Sequence, residues 1–118
     1  MIYENNLVSV EVESSEIPWV KVFTKRKIKE FSECTLDEKT EIFRIIDITE
    51  KLMLKYFKAD KINIASFGNM LPHVHWHVMA RFENDSYFPE PMWGARQRES
   101  QLDLPSFEVF FTQLGESL

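Results

Sequence analysis

The chain is short of several things, and each shortage narrows what it can be. Its 118 residues include one cysteine, Cys34, so an intrachain disulfide cannot form and a cysteine-ligated zinc or iron–sulfur centre is excluded. Three glycines and five prolines set it apart from low-complexity and collagen-like sequences. No apolar run approaches membrane-spanning length, and the first residues lack the basic and apolar stretches of a secretory signal. A cytoplasmic protein with no membrane association is therefore expected. Basic residues are in deficit, 14 Lys and Arg against 19 Asp and Glu, for a net charge of −5. A surface that neutralises duplex phosphates would work against this field, so no nucleic-acid partner is expected, and any phosphate the chain handles belongs to a small molecule.

What is present is an ordinary folded composition, 44% hydrophobic and 28% charged, at a length that suits one domain spanning residues 1–118. Residues 7–13 alternate, with Val8, Val10 and Val12 on one side, the period of a half-buried strand. After a turn-like stretch, Trp19, Val20, Val22 and Phe23 form a second strand that can pair with the first as a hairpin. The basic run Lys25-Arg26-Lys27-Ile28-Lys29 reads either as a solvated loop or as a positive rim beside a phosphate site. Thr35 and Glu38 have the spacing of a capping box. From there Ile42, Ile45, Ile46, Thr49, Leu52, Met53, Tyr56 and Phe57 recur at threes and fours, predicting an amphipathic helix to about Lys58 that packs on a core. The period returns to two at Lys61, with Ile62 and Ile64 on one side, giving a strand that ends at Ser66-Phe67-Gly68-Asn69. Near the end, Phe107, Phe110, Phe111 and Leu114 predict a short helix that begins near Pro105 and is stopped by Gly115.

The three histidines of the chain all lie between residues 73 and 77. Over residues 72–82, His73, His75, His77, Met79 and Arg81 alternate with Val74, Trp76, Val78, Ala80 and Phe82. A strand here would bury one face and present three imidazoles in a row on the other, about 7 Å apart at twice the per-residue rise. Such a row has three readings. It can be a polar sheet face, although three imidazoles are costly unless each finds a partner. It can hold a metal, although three ligands on one straight strand span about 13–14 Å, too far to meet one ion without a ligand from elsewhere. Or it can do phosphoryl chemistry: neutral imidazole, with a reference pKa of about 6.5, is a competent nucleophile, and histidines on either side can donate to phosphate oxygens. Gly68 and Asn69 enter the strand where backbone N–H groups can approach an anion.

The stretch Gly68-Asn69-Met70-Leu71-Pro72-His73-Val74-His75-Trp76-His77-Val78-Met79 resembles the signature of the histidine-triad family of nucleotide hydrolases and transferases. Asn69 stands where that family usually has Gln. Residues 80–94, through Pro91-Met92-Trp93-Gly94, resemble a small bacterial branch of it, and the resemblance covers about residues 7–94. It implies an α+β fold with an antiparallel sheet of about five strands, one long helix and a short C-terminal helix, paired as a homodimer. It implies hydrolysis of nucleoside phosphoramidates or dinucleoside polyphosphates through a nucleotidyl-histidine. His75 would be the nucleophile, His77 would contact phosphate and assist the leaving group, and His73 would orient His75. Asn69, Gly68 and Asn63 would bind substrate, with no cofactor and no metal. Lys27 falls where many members carry a further histidine. Trp19 and Trp93 could line a base pocket, but a core or interface place is the stronger expectation. A nucleotide-binding module without significant turnover is the alternative.

Overall fold

A computed structural model describes all residues 1–118. Five strands form one antiparallel sheet: β1 (Tyr3–Glu4), β2 (Val8–Val12), β3 (Trp19–Thr24), β4 (Lys61–Ser66) and β5 (His75–Arg81), in the order β1-β2-β3-β5-β4. α1 (Leu36–Phe57) lies between β3 and β4, and α2 (Phe107–Ser117) closes the chain. This is the α+β architecture expected from the sequence, with the predicted hairpin formed by β2 and β3. The two-residue β1, too short to show alternation, is visible only in three dimensions; the Ile2 N–H extends it by donating to the Val10 carbonyl at 2.8 Å.

α1 starts where its cap is written. The Thr35 side chain accepts from the Glu38 N–H and the Glu38 carboxylate accepts from the Thr35 N–H, so two unpaired donors of the first turn are satisfied. Arg26 adds a forked pair to the same carboxylate, at 2.7 and 3.0 Å. That contact draws Arg26 out of any phosphate rim, and Lys25 pairs with Glu4. The helix ends at Lys58 in the left-handed conformation, φ 54°. Its apolar stripe, Ile42, Ile45, Ile46, Met53 and Phe57, packs in one core with Val8, Val10, Val20, Val22, Val78 and Ala80. Phe110 and Leu114 of α2 join that core, with the Phe110 ring 4.9 Å from Phe57.

Two expectations are corrected. Gly115 does not stop α2, which runs on to Ser117. A Cβ there would meet the Ile2 carbonyl oxygen at 2.9 Å, so glycine is required by the close approach of the N-terminal backbone. The histidine strand also starts later than its alternation suggests. The His73 N–H turns back to the Leu71 carbonyl at 2.8 Å and the Val74 N–H goes to Ile28. Pairing of β5 with β3 begins only at Phe23 opposite His75.

Candidate active site

The face of β5 turned away from α1 carries His75, His77, Met79 and Arg81, and tertiary contacts divide it in two. Its far end is covered by the segment after the strand. There Arg81, 1% exposed, is forked to Asp85 at 2.9 and 3.1 Å and donates to the Asn63 side-chain oxygen and the Glu90 carbonyl. Burial alone would raise the Asp85 carboxyl. Arg81 and the N–H groups of Phe82, Tyr87 and Phe88 outweigh it and hold the group below the usual carboxylate range. The near end stays open as a cleft of about 580 Å³, a size that suits a small molecule. His75 and His77 stand in it with Phe23 and Lys21 of β3 and Glu13 just beyond β2, and the connection 67–71 and Trp93 complete its lining.

Hydrogen bonds fix what each imidazole can do. A carbonyl only accepts, so the 2.7 Å contact from His75 Nδ1 to the His73 carbonyl puts the proton of neutral His75 on Nδ1 and a lone pair on Nε2. The His75 ring stacks on Phe23, centroids 4.9 Å apart and planes 18° from parallel. His73 is tied through Nε2–H to the Thr24 carbonyl at 2.7 Å and packs on Phe23. It lies behind His75, outside the cleft lining. The group that orients His75 is thus the His73 carbonyl, held in place by the His73 ring. His77 accepts from the Trp19 indole N–H at 2.9 Å through Nδ1, and its ring meets His75 edge-on at 4.9 Å. Burial first, then His75 and Lys21, push its pKa down to about 4.

Gly68 and Asn69 are among the residues that line the cleft. Gly68 has an ordinary negative φ, and a Cβ there would touch only the Leu71 carbonyl at 3.7 Å, so its backbone needs no glycine. Asn63 is not brought to this cleft: its side-chain oxygen is taken by Arg81, and it borders an adjoining hollow of about 340 Å³. Lys27 is exposed and does not line the cleft. Trp19 and Trp93, for which a core or interface place is expected from sequence, both flank His77, at 5.7 and 5.0 Å between centroids. Lys21 and Phe23 were missed as site residues. Nothing local in the sequence marks them, because only the antiparallel pairing of β3 with β5 sets them opposite His77 and His75. No three His, Cys, Asp or Glu side chains gather to hold a metal.

The family model described as HIT domain matches residues 1–84. The chain belongs to the HIT domain family. It is similar to crystal structures of bacterial histidine triad proteins. One is from Sinorhizobium meliloti, 29% identical, TM-score 0.78, covering 99% of this chain and 87% of that one. Another, from Bradyrhizobium japonicum, is 26% identical with TM-score 0.78, covering 98% and 87%. A third, from Marinobacter aquaeolei, is 25% identical with TM-score 0.81, covering 99% and 88%. No curated protein matches the chain. Membership of the HIT family points to nucleotide-binding hydrolase activity. No helix is long and apolar enough to cross a membrane.

Proposed function

We propose that the chain, as one histidine-triad domain, is a nucleotide hydrolase that cleaves nucleoside phosphoramidates or dinucleoside polyphosphates through a nucleotidyl group carried on His75. The observation that carries this reading is the His75 tautomer. With Nδ1–H spent on the His73 carbonyl, the Nε2 lone pair is the group left to attack phosphorus. On attack the ring becomes positively charged, and the same carbonyl stabilises the N–H that bears that charge. His77 Nε2–H, Asn69 and the backbone at Gly68 are the donors for phosphate oxygens in this cleft. Asn63 takes no part in this reading.

Incubation with adenosine phosphoramidate and with diadenosine polyphosphates tests it. Release of adenosine monophosphate is expected, together with a mass increase on the peptide carrying His75 in rapidly quenched samples. His75→Ala should lower turnover by roughly 10⁴-fold or more, as expected when a nucleophile is removed. Tight nucleotide binding with no product would instead support a binding module.

A homodimer and a cytoplasmic location belong to the same proposal. β4 leaves one edge of the sheet unpaired, and Leu36 and Phe43 of α1 are 78% and 50% exposed. An unpaired strand edge with apolar neighbours invites pairing with a second copy. A monomer mass in sedimentation would overturn the dimer. The one thiol, Cys34, is buried and unpaired, and burial pushes its pKa up, which suits a reducing compartment.

A further inference from the structure

One hydrogen bond decides what His77 can contribute. The Trp19 indole N–H lies 2.9 Å from His77 Nδ1, and an indole N–H donates but cannot accept. Nδ1 must therefore offer its lone pair to Trp19, which leaves the single proton of the ring on Nε2. A second proton, on Nδ1, would confront the indole N–H, so the imidazolium forms only if this contact breaks. The surroundings act in the same direction. Trp19, Trp93 and Phe67 surround the ring at 5.7, 5.0 and 6.2 Å between centroids, and the residue is 7% exposed. The titratable and charged groups facing it are His75 on β5, Lys21 on β3 and Glu13 just beyond β2. Of these only Glu13 favours a charged ring, and it is paired with Lys21 at 3.0 Å.

We propose that Trp19 is a positioning residue that holds His77 as a neutral N–H donor, and that the site is thereby fitted to nucleotide phosphoric anhydrides over phosphoramidates. This rests on the hydrolase reading above and narrows its substrate class. In anhydride cleavage the His75 Nε2 pair forms an N–P bond to the α-phosphorus while the bridging P–O bond breaks. Its electron pair leaves on oxygen as a phosphate anion, which accepts a hydrogen bond from His77 and needs no proton. In a phosphoramidate the electron pair of the broken P–N bond goes to nitrogen, which departs as an amine only when protonated. Neutral His77 donates a hydrogen bond but is too weak an acid to give up its one proton, and Lys21, the cation of the cleft, is occupied by Glu13. In the second step water oxygen bonds to phosphorus, the N–P pair returns to His75 Nε2, and a water proton passes to solvent.

The test compares kcat/KM for diadenosine triphosphate and adenosine phosphoramidate from pH 5 to 9, in the unmodified protein and in Trp19→Phe. At pH 7 the unmodified protein should favour the anhydride by about a hundredfold, the low end of what a positioned general acid supplies. Trp19→Phe should narrow that ratio and give the phosphoramidate reaction a rise on acidification. Nitrogen-15 NMR of the unmodified protein should show His77 protonated on Nε2 alone down to below pH 5. Equal rates on both substrates at pH 7, or a His77 proton on Nδ1, overturns the proposal, whether or not Trp19→Phe folds. Turnover of neither substrate overturns the hydrolase reading and the substrate preference with it, while the NMR titration still decides whether Trp19 sets the tautomer.

Discussion

The imidazole of His75 lies nearly flat on the ring of Phe23, the residue directly across from it on the neighbouring strand. Together with the carbonyl behind Nδ1, this stack fixes the direction of the Nε2 lone pair. Phe23→Leu keeps an apolar side chain but removes the flat support. It should lower kcat by roughly tenfold, since small misplacements of a reacting group carry large penalties, and leave KM little changed. Steady-state kinetics on a dinucleoside polyphosphate would check this; an unaltered kcat would mean the carbonyl alone suffices.

Acid should destabilise the fold in two windows. His77 binds its proton at about 4 when folded, against an ordinary value of 6.5. Between these values the unfolded chain holds more protons, so stability rises with pH there. It is full above about 6.5 and is lost as pH falls toward about 4. Glu38 behaves likewise lower down: Arg26 chiefly, with the Thr35 backbone, brings its carboxyl from 4.5 to about 2, so its contribution is present above 4.5 and disappears as pH falls to about 2. Urea midpoints at pH 7.5 and 5 should differ in the unmodified protein, and the difference should shrink in His77→Gln. A midpoint independent of pH over that interval would contradict the buried neutral ring.

Removing the helix cap should cost stability without touching the site. Thr35→Ala loses the side-chain acceptor for the Glu38 N–H and should destabilise by about 1 kcal/mol. Glu38→Gln breaks the forked pair with Arg26 and should also abolish the lower acid window. Equilibrium unfolding with kcat measured in parallel separates the effects; a fall in kcat for Thr35→Ala would tie the cap to catalysis.

Asp85→Ala leaves the Arg81 guanidinium buried without its counter-charge, a loss of about 3–5 kcal/mol by the usual cost of breaking a buried pair. Asp85 also gathers the N–H groups of Phe82, Tyr87 and Phe88, so the segment leading to Trp93 should loosen. KM should rise as the cleft loses its Trp93 wall. Thermal unfolding and KM measured together check this, and a stable variant with altered KM alone would show that the pair positions the wall more than it supports the fold.

The site was legible in the sequence where chemistry is written locally. Alternation around His75 and His77 marks a strand with one apolar face, and that face is buried against α1 as expected. The Thr35–Glu38 spacing named the start of the helix, because a cap involves only residues three apart. Trp19 was not legible as a partner of His77, since 58 residues separate them and only the pairing of β3 with β5 brings them together. Asn63 shares the histidine face, yet Arg81 captures it, a competition that periodicity does not encode. Gly115 reads as a helix stop when only its neighbours are considered. Contact with the Ile2 backbone, from the other end of the chain, gives its real reason.

Periodicity by itself determined the four longer strands, the two helices and the alternation that carries the imidazoles, because hydrophobic burial acts through spacings of two and of three to four that are present in the linear chain. The fold class came from the resemblance of residues 68–79 to the histidine-triad signature. Tertiary structure decided which nitrogen of each histidine bears the proton, which histidines reach the cleft, and which polar groups are already occupied. Those outcomes depend on donors and acceptors delivered by distant strands and loops, and a hydrogen bond exists only within a few tenths of an ångström of its proper length.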